Sequence, residues 1–182
     1  SRGLGDVYKR QDMLSLDLVD KGVVTNQIVL TVGYDKESLA DGHYTGEVVC
    51  DHYGRKIPKH AHGTQNLGRH TSSTRKIIDA TMALFDRIID KTLLARRLNL
   101  TACNVIREED IPEIESYEQI SLFDMAEAAN ADNNAEEKER ALQEAMILIK
   151  HKYGKNAILK GTNYTEGATA RERNRSIGGH KA

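Results

Sequence analysis

Apolar residues recur along the chain with two different periods, and the changes of period mark its elements. In "DMLSLDLVDKG" (12–22), Leu14, Leu18 and Val19 fall at helical spacing before Gly22, the pattern of the closing turns of a helix. "QIVLTVGYD" (27–35) is rich in β-branched residues and predicts a strand long enough to be central in a sheet. "KESLADGHYTGEVVCDHYGRKIPK" (36–59) carries three Gly and one Pro and reads as a long connection, with a short excursion at "GEVVCDHY". "HAHGTQNLGRHTSST" (60–74) is an extended run of small, polar and basic residues ending in a Ser/Thr cluster suited to capping a helix. That helix follows in "RKIIDATMALFDRIID" (75–90), where Ile77, Ile78, Leu84, Phe85, Ile88 and Ile89 form one stripe. "LLARRLNLTACNVI" (93–106) alternates, with Leu98, Leu100 and Ala102 on one face, and predicts a second strong strand.

The order helix, strand, strand, helix, strand predicts an α+β layer, a sheet with helices on one face, over residues 12–107. Beyond it the acidic, amide-rich stretch 108–133 has no convincing stripe and is expected to be a linker. Asn133 or Asn134 is a candidate cap for a last helix over 134–153. There Leu142, Ala145, Met146 and Ile149 make a narrow stripe, and Gly154 is a stop. The tail, 154–182, is basic and flanked by glycines. "SRGLGDVYKRQ" (1–11) lacks an apolar core of a signal and an initiating Met, and is set aside as non-native sequence, so the domain is expected to be truncated at its N-terminus.

Charge changes this picture more than composition does. With 182 residues and 39% hydrophobic residues the chain can build one domain plus a tail, and its net charge is −1. The two signs are segregated, however. Residues 52–78 hold Arg55, Lys56, Lys59, Arg69, Arg75 and Lys76 with four His and no acid, whereas 108–144 hold thirteen acids against Lys138 and Arg140. A basic face and an acidic face are therefore expected. Cys50 and Cys103 suggest no disulfide framework, which points to a reducing cytoplasm, and no run approaches the roughly 20 apolar residues of a membrane span.

The acid-free run, 55–76, is a candidate phosphate-tracking surface. A helix N-terminus lined by Ser72, Ser73 and Thr74 favours an anion, and Arg69, His70 and Arg75 add charge. The competing reading is a solvated edge strand guarded by its charges. A zinc site can also be drawn from His60-x-His62 and Cys50-x-His52, although structural zinc sites use the longer C-x₂₋₄-C and H-x₃₋₅-H spacings. Asp17 and Asp20, one helical turn apart, read as a solvated face rather than a metal pair. In "QISLF" the apolar Ile120, Leu122 and Phe123 stand among acids and amides. They either dock on their own domain or fill another protein's pocket.

Taken together, "DKGVVTNQIVLTVGYD", "HAHGTQNLGRHTSSTRKIIDATMALFDRI", "LLARRLNLTACNVI" and the closing "NYTEGATARERNRSIGGHKA" resemble, in order, the C-terminal part of bacterial Y-family translesion DNA polymerases of the ImpB/MucB/SamB type of Firmicutes. The resemblance implies that 12–107 is a little finger, a β-α-β-β-α-β domain with a four-stranded sheet and helices on one face that grips duplex DNA, here lacking its first strand. It implies contacts to template and primer backbones from Lys59, His60, His62, Thr64 and Asn66, from Gly68, Arg69, His70 and Thr71, and from Ser72, Ser73, Thr74 and Arg75. It also gives Gln119, Ile120, Ser121, Leu122 and Phe123 the look of a peptide that docks on the bacterial sliding clamp. The acids that hold Mg²⁺ in such polymerases belong to an upstream palm, and no stretch here resembles them. The chain is thus expected to bind damaged or primer–template DNA and the clamp, in the nucleoid-containing cytoplasm of a bacterium, with no membrane partner, no cofactor of its own and no polymerase activity. The alternative is a zinc-stabilised protein-interaction domain. A third reading has the acidic linker and final helix bind a different regulatory protein.

Overall fold

The computed structural model describes residues 13–40, 42–112, 127–159, 161, 176–177 and 180–181, and of 127–133, 176–177 and 180–181 the backbone alone. Residues 13–20 form helix α1, which ends at Gly22 with φ at 62°, a left-handed conformation that glycine adopts without strain. Then come strand β1 (Val23–Tyr34), a 3-10 turn (Lys36–Leu39), a hairpin of β2 (Val48–Cys50) and β3 (Lys56–Pro58), and strand β4 (Ala61–Thr71). Helix α2 (Thr74–Ile88), strands β5 (Ala95–Cys103) and β6 (Ile106–Arg107), and a second 3-10 turn (Glu108–Asp110) follow. The long helix α3 (Glu127–Tyr153) and the small pair β7 (Ser176–Ile177) and β8 (His180–Lys181) come last.

β1 is the centre of an antiparallel four-stranded sheet, flanked by β4 on one side and by β5 and β6 on the other. This is the α+β architecture that the hydrophobic pattern predicts, and it is consistent with a little-finger-like fold. Alternation explains its two faces. Ile28, Leu30, Val32 and Tyr34 of β1 are buried, and Leu30 lies opposite Gly63 of β4 and Leu100 of β5. Leu84 and Phe85 of α2 close the core over Leu30, Val32, Tyr34 and Leu98. Each such buried side chain contributes about 1.5–3 kcal/mol relative to exposure. At Gly63 an added Cβ would lie 2.8 Å from Leu84 Cδ1 and 2.9 Å from Ile88 Cγ2, so the absent side chain is what lets α2 pack closely here.

The buried stripe of α2 is Ile77, Thr81, Leu84 and Phe85. Thr81 joins it, unforeseen, because its hydroxyl donates to the Ile77 carbonyl at 2.6 Å, which removes the cost of burying it. Ser73 caps the helix, accepting from the Lys76 amide, as the Ser/Thr cluster predicts.

Boundaries differ from expectation in three places. β1 begins at Val23 rather than Gln27, because Val23 and Val24 pair with Arg107 and Ile106 of β6. The second strong strand is broken at Asn104, whose φ is 51°, and resumes as β6 in the same register against β1. α3 begins at Glu127, inside the segment expected as linker, and carries Asn133 and Asn134 within it rather than as caps. Its "EAANADNNAEEKE" start is rich in the helix formers Ala and Glu and holds neither Gly nor Pro. Residues 1–11, the 119–123 peptide and most of the basic tail lie outside the described residues.

Candidate nucleic-acid interface

The structure divides the sequence-predicted contact residues into two groups. His62, Thr64 and Asn66 alternate on β4 away from the core and are exposed. They stand opposite Thr31, Val29 and Gln27 of β1, which stand opposite Asn99, Thr101 and Cys103 of β5. Cross-strand partners share a face, so these residues, polar apart from Val29 and Cys103, tile the side of the sheet away from the core, and Arg97 opposite Gly33 extends it. His62 Nδ1 and Thr31 Oγ1 are 3.0 Å apart. Thr31, Asn99, Thr101 and Arg97 belong to no motif in the sequence, although the period-2 polarity of β1 and β5 carries them. Lys59 and His60, both exposed, lie just before β4; Lys59 Nζ is 2.7 Å from Glu47 Oε2.

The second group gathers where β4 leaves the sheet. Pairing with β1 slips between Gln27↔Asn66 and Thr25↔Thr71, so that Leu67 to His70 bulge opposite Asn26. Gly68 holds φ at 81° there, and its amide donates to Asn66 Oδ1 at 2.8 Å. His70 Nε2 lies 3.2 Å from the Asn104 carbonyl, tying the bulge to the break in the neighbouring strand. Beyond the bulge, Thr71, Ser72 and Ser73 are buried, each 8% exposed. They lead into Thr74 and Arg75 at the start of α2.

What covers them is α3. Glu136 Oε1 accepts from Arg69 Nη2 at 2.9 Å and lies 2.5 Å from Lys76 Nζ. Glu139 accepts from the Ser73 hydroxyl at 2.7 Å and from the Arg75 backbone amide at 2.9 Å, so one carboxylate occupies the positive end of α2. Arg140 donates to Ser72 Oγ, Glu108 and Glu144, and the buried Gln143 donates to the Ser72 carbonyl and Thr74 Oγ1. The basic and acidic halves of the sequence therefore meet here instead of forming separate faces.

Elsewhere in the acid-free run, Arg55 and Lys59 take counter-charges from acids just ahead of it. Arg55 pairs with Asp51 at 2.6 Å, and hydrogen bonds from the Arg55 side chain and amide hold the Asp51 carboxyl below the usual carboxylate range. The absence of acids over 52–78 is thus a property of the sequence and not of the surface, because Glu47, Asp51 and Glu136 supply the counter-charges from outside it. For the zinc reading, His60 and His62 have ring centroids 6.4 Å apart. Among the described residues no three His, Cys, Asp or Glu side chains are grouped to hold a metal ion. Asp20 faces His151 of α3, 3.4 Å away.

No family model matches the chain, and no solved structure matches it. Two curated proteins do. The chain is 31% identical over 160 residues, 87% of its length, to the Bacillus subtilis (strain 168) protein UvrX, named as a UV-damage repair protein. It is 28% identical over 125 residues, 69% of its length, to a protein of Halalkalibacterium halodurans named DNA polymerase IV 2. The matches span only 30% and 26% of these relatives' own lengths. At this low identity they support a chain related to Y-family polymerases and DNA repair proteins.

Proposed function

We propose that the chain is the DNA-gripping and clamp-docking region of a translesion polymerase of the ImpB/MucB/SamB type. Residues 59–75 hold the backbone of damaged or primer–template DNA, and 119–123 bind the bacterial sliding clamp. The observation that carries the DNA reading is the pair of anion seats at the start of α2, Arg69 with Lys76 and Ser73 with the Arg75 amide, each of which already holds a carboxylate. Paired donors around an oxyanion, guanidinium with ammonium in one seat and hydroxyl with amide in the other, are the chemistry by which proteins hold phosphates without reading sequence. The repair and polymerase names of the relatives support the same reading. The chain's own residues supply grip. The Mg²⁺-dependent chemistry belongs to palm acids that this sequence does not contain.

Replacing Arg69 and Arg75 together by Ala should weaken duplex binding and flatten the slope of log affinity against log salt by about one to two units, one for each guanidinium that neutralises a phosphate. An unchanged slope puts the DNA surface elsewhere. For the clamp, Leu122→Ala with Phe123→Ala should abolish binding in a titration with the bacterial clamp while the melting temperature stays the same, since anchors that fill a partner's cleft add nothing to the free fold. Gln119→Ala should cost less, because one rim hydrogen bond nets about 0.5–1.5 kcal/mol. Intramolecular docking of these side chains makes the reverse forecast, a loss of a few kcal/mol of stability with clamp affinity intact.

A further inference from the structure

We infer that α3 is an intramolecular occupant of the backbone-binding surface, which duplex DNA must displace to engage residues 69–76; this rests on the DNA-binding reading above. The two seats at the start of α2 are not empty. Glu136 bridges Arg69 and Lys76, and Glu139 takes the Ser73 hydroxyl together with the Arg75 amide. A phosphate oxygen and a Glu carboxylate oxygen make the same demands on these donors, and one seat cannot hold both. Ser72 and Ser73 also lie too deep beneath α3 to meet a phosphate while the helix stays docked, at 8% exposure.

The manner of docking suits displacement. Among the described residues of α3 the one buried side chain is the polar Gln143, whereas Leu142 and Leu148 are 60% and 69% exposed. Met146 and Ile149, the stripe expected to bury this helix, are only partly covered. A contact built from ion pairs and hydrogen bonds rather than apolar area has little net free energy and is weakened by salt. A polyanion that offers several phosphates to the same cations can therefore compete with it. Apparent affinity for DNA is then the intrinsic affinity reduced by the fraction of chains with α3 released.

The test compares the whole chain with Glu136→Gln/Glu139→Gln, which keeps side-chain volume and removes both seated charges, and with Glu37→Gln/Glu109→Gln, which makes the same change in net charge elsewhere. Each is titrated with a fluorescent primer–template duplex at low salt. The first variant should bind on the order of tenfold tighter than the chain, and the second within about twofold of it. In the unsubstituted chain, saturating duplex should accelerate hydrogen exchange of α3 amides while slowing it at the start of α2. Equal affinity of the Glu136/Glu139 variant and the chain overturns the inference and leaves the interface reading standing. So does a gain matched by the control variant, or α3 exchange unmoved by duplex. Absence of DNA binding by all three chains overturns the interface reading and this inference with it.

Discussion

Gly63 and Asp51 show how single positions hold this domain. Gly63 places bare backbone under α2, and a Cβ there meets Leu84 and Ile88 inside 3 Å. Gly63→Val should therefore destabilise the domain by about 1–3 kcal/mol through overpacking, read as a lower urea midpoint at unchanged slope. Asp51 closes the turn of the β2–β3 hairpin, accepting from the Tyr53 and Arg55 amides and from the Arg55 guanidinium. Its folded-state pKa is depressed, chiefly by the Arg55 side-chain hydrogen bond. The stability it contributes is present above the unfolded value, about 3.9, and is lost as the pH falls through the lower folded value. The Tyr53 and Arg55 amide resonances should shift together over that acid window, and Asp51→Asn should abolish the transition. At this scale the sequence was partly legible. The Ser73 cap follows from a Ser/Thr cluster ahead of an apolar stripe, but the need for glycine at position 63 depends on a helix that comes 21 and 25 residues later.

Elements follow the same division between local and distant causes. The strand of β-branched residues, the striped α2 and the alternating β5 were readable because period and propensity are local. The β4 bulge and the break at Asn104 were not, since both depend on how neighbours meet β1 at Thr25 and Asn26. Thr25 Oγ1 there donates to the Gln27 and Cys103 carbonyls, and Asn104 donates to Asn26. The candidate site shows the contrast most clearly. Residues 69–75 were legible as anion-binding chemistry. Their partners in α3 were not, because Arg69 and Glu136 are 67 positions apart and ion pairs leave no period. Gln143 makes the docking testable independently of charge. Gln143→Ala strips the Ser72 carbonyl and Thr74 hydroxyl of their shared donor, and should release α3 more often, read as faster hydrogen exchange of its amides, if α3 docks as described. Unchanged α3 exchange would mean that Gln143 does not hold the helix.

For the molecule as a whole, the proposed division of labour is between gripping DNA, assigned to this chain, and acting on it. The sheet face of Thr31, His62, Thr64 and Asn99 is polar, and under the proposal it meets the nucleic-acid backbone rather than base edges. Purified chain should incorporate no nucleotide on any primer–template with Mg²⁺ or Mn²⁺, because nothing in it resembles the clustered acids that phosphoryl transfer requires. Template-dependent extension above a mock preparation would overturn that assignment. The central claim, that this chain holds nucleic acid by its backbone, is tested most directly by anisotropy titrations of two duplexes of unrelated sequence across a salt series. The account predicts matching affinities for the two, with log affinity falling linearly in log salt by about 0.9 for each phosphate engaged. Affinity indifferent to salt, or a strong preference for one sequence, would contradict it.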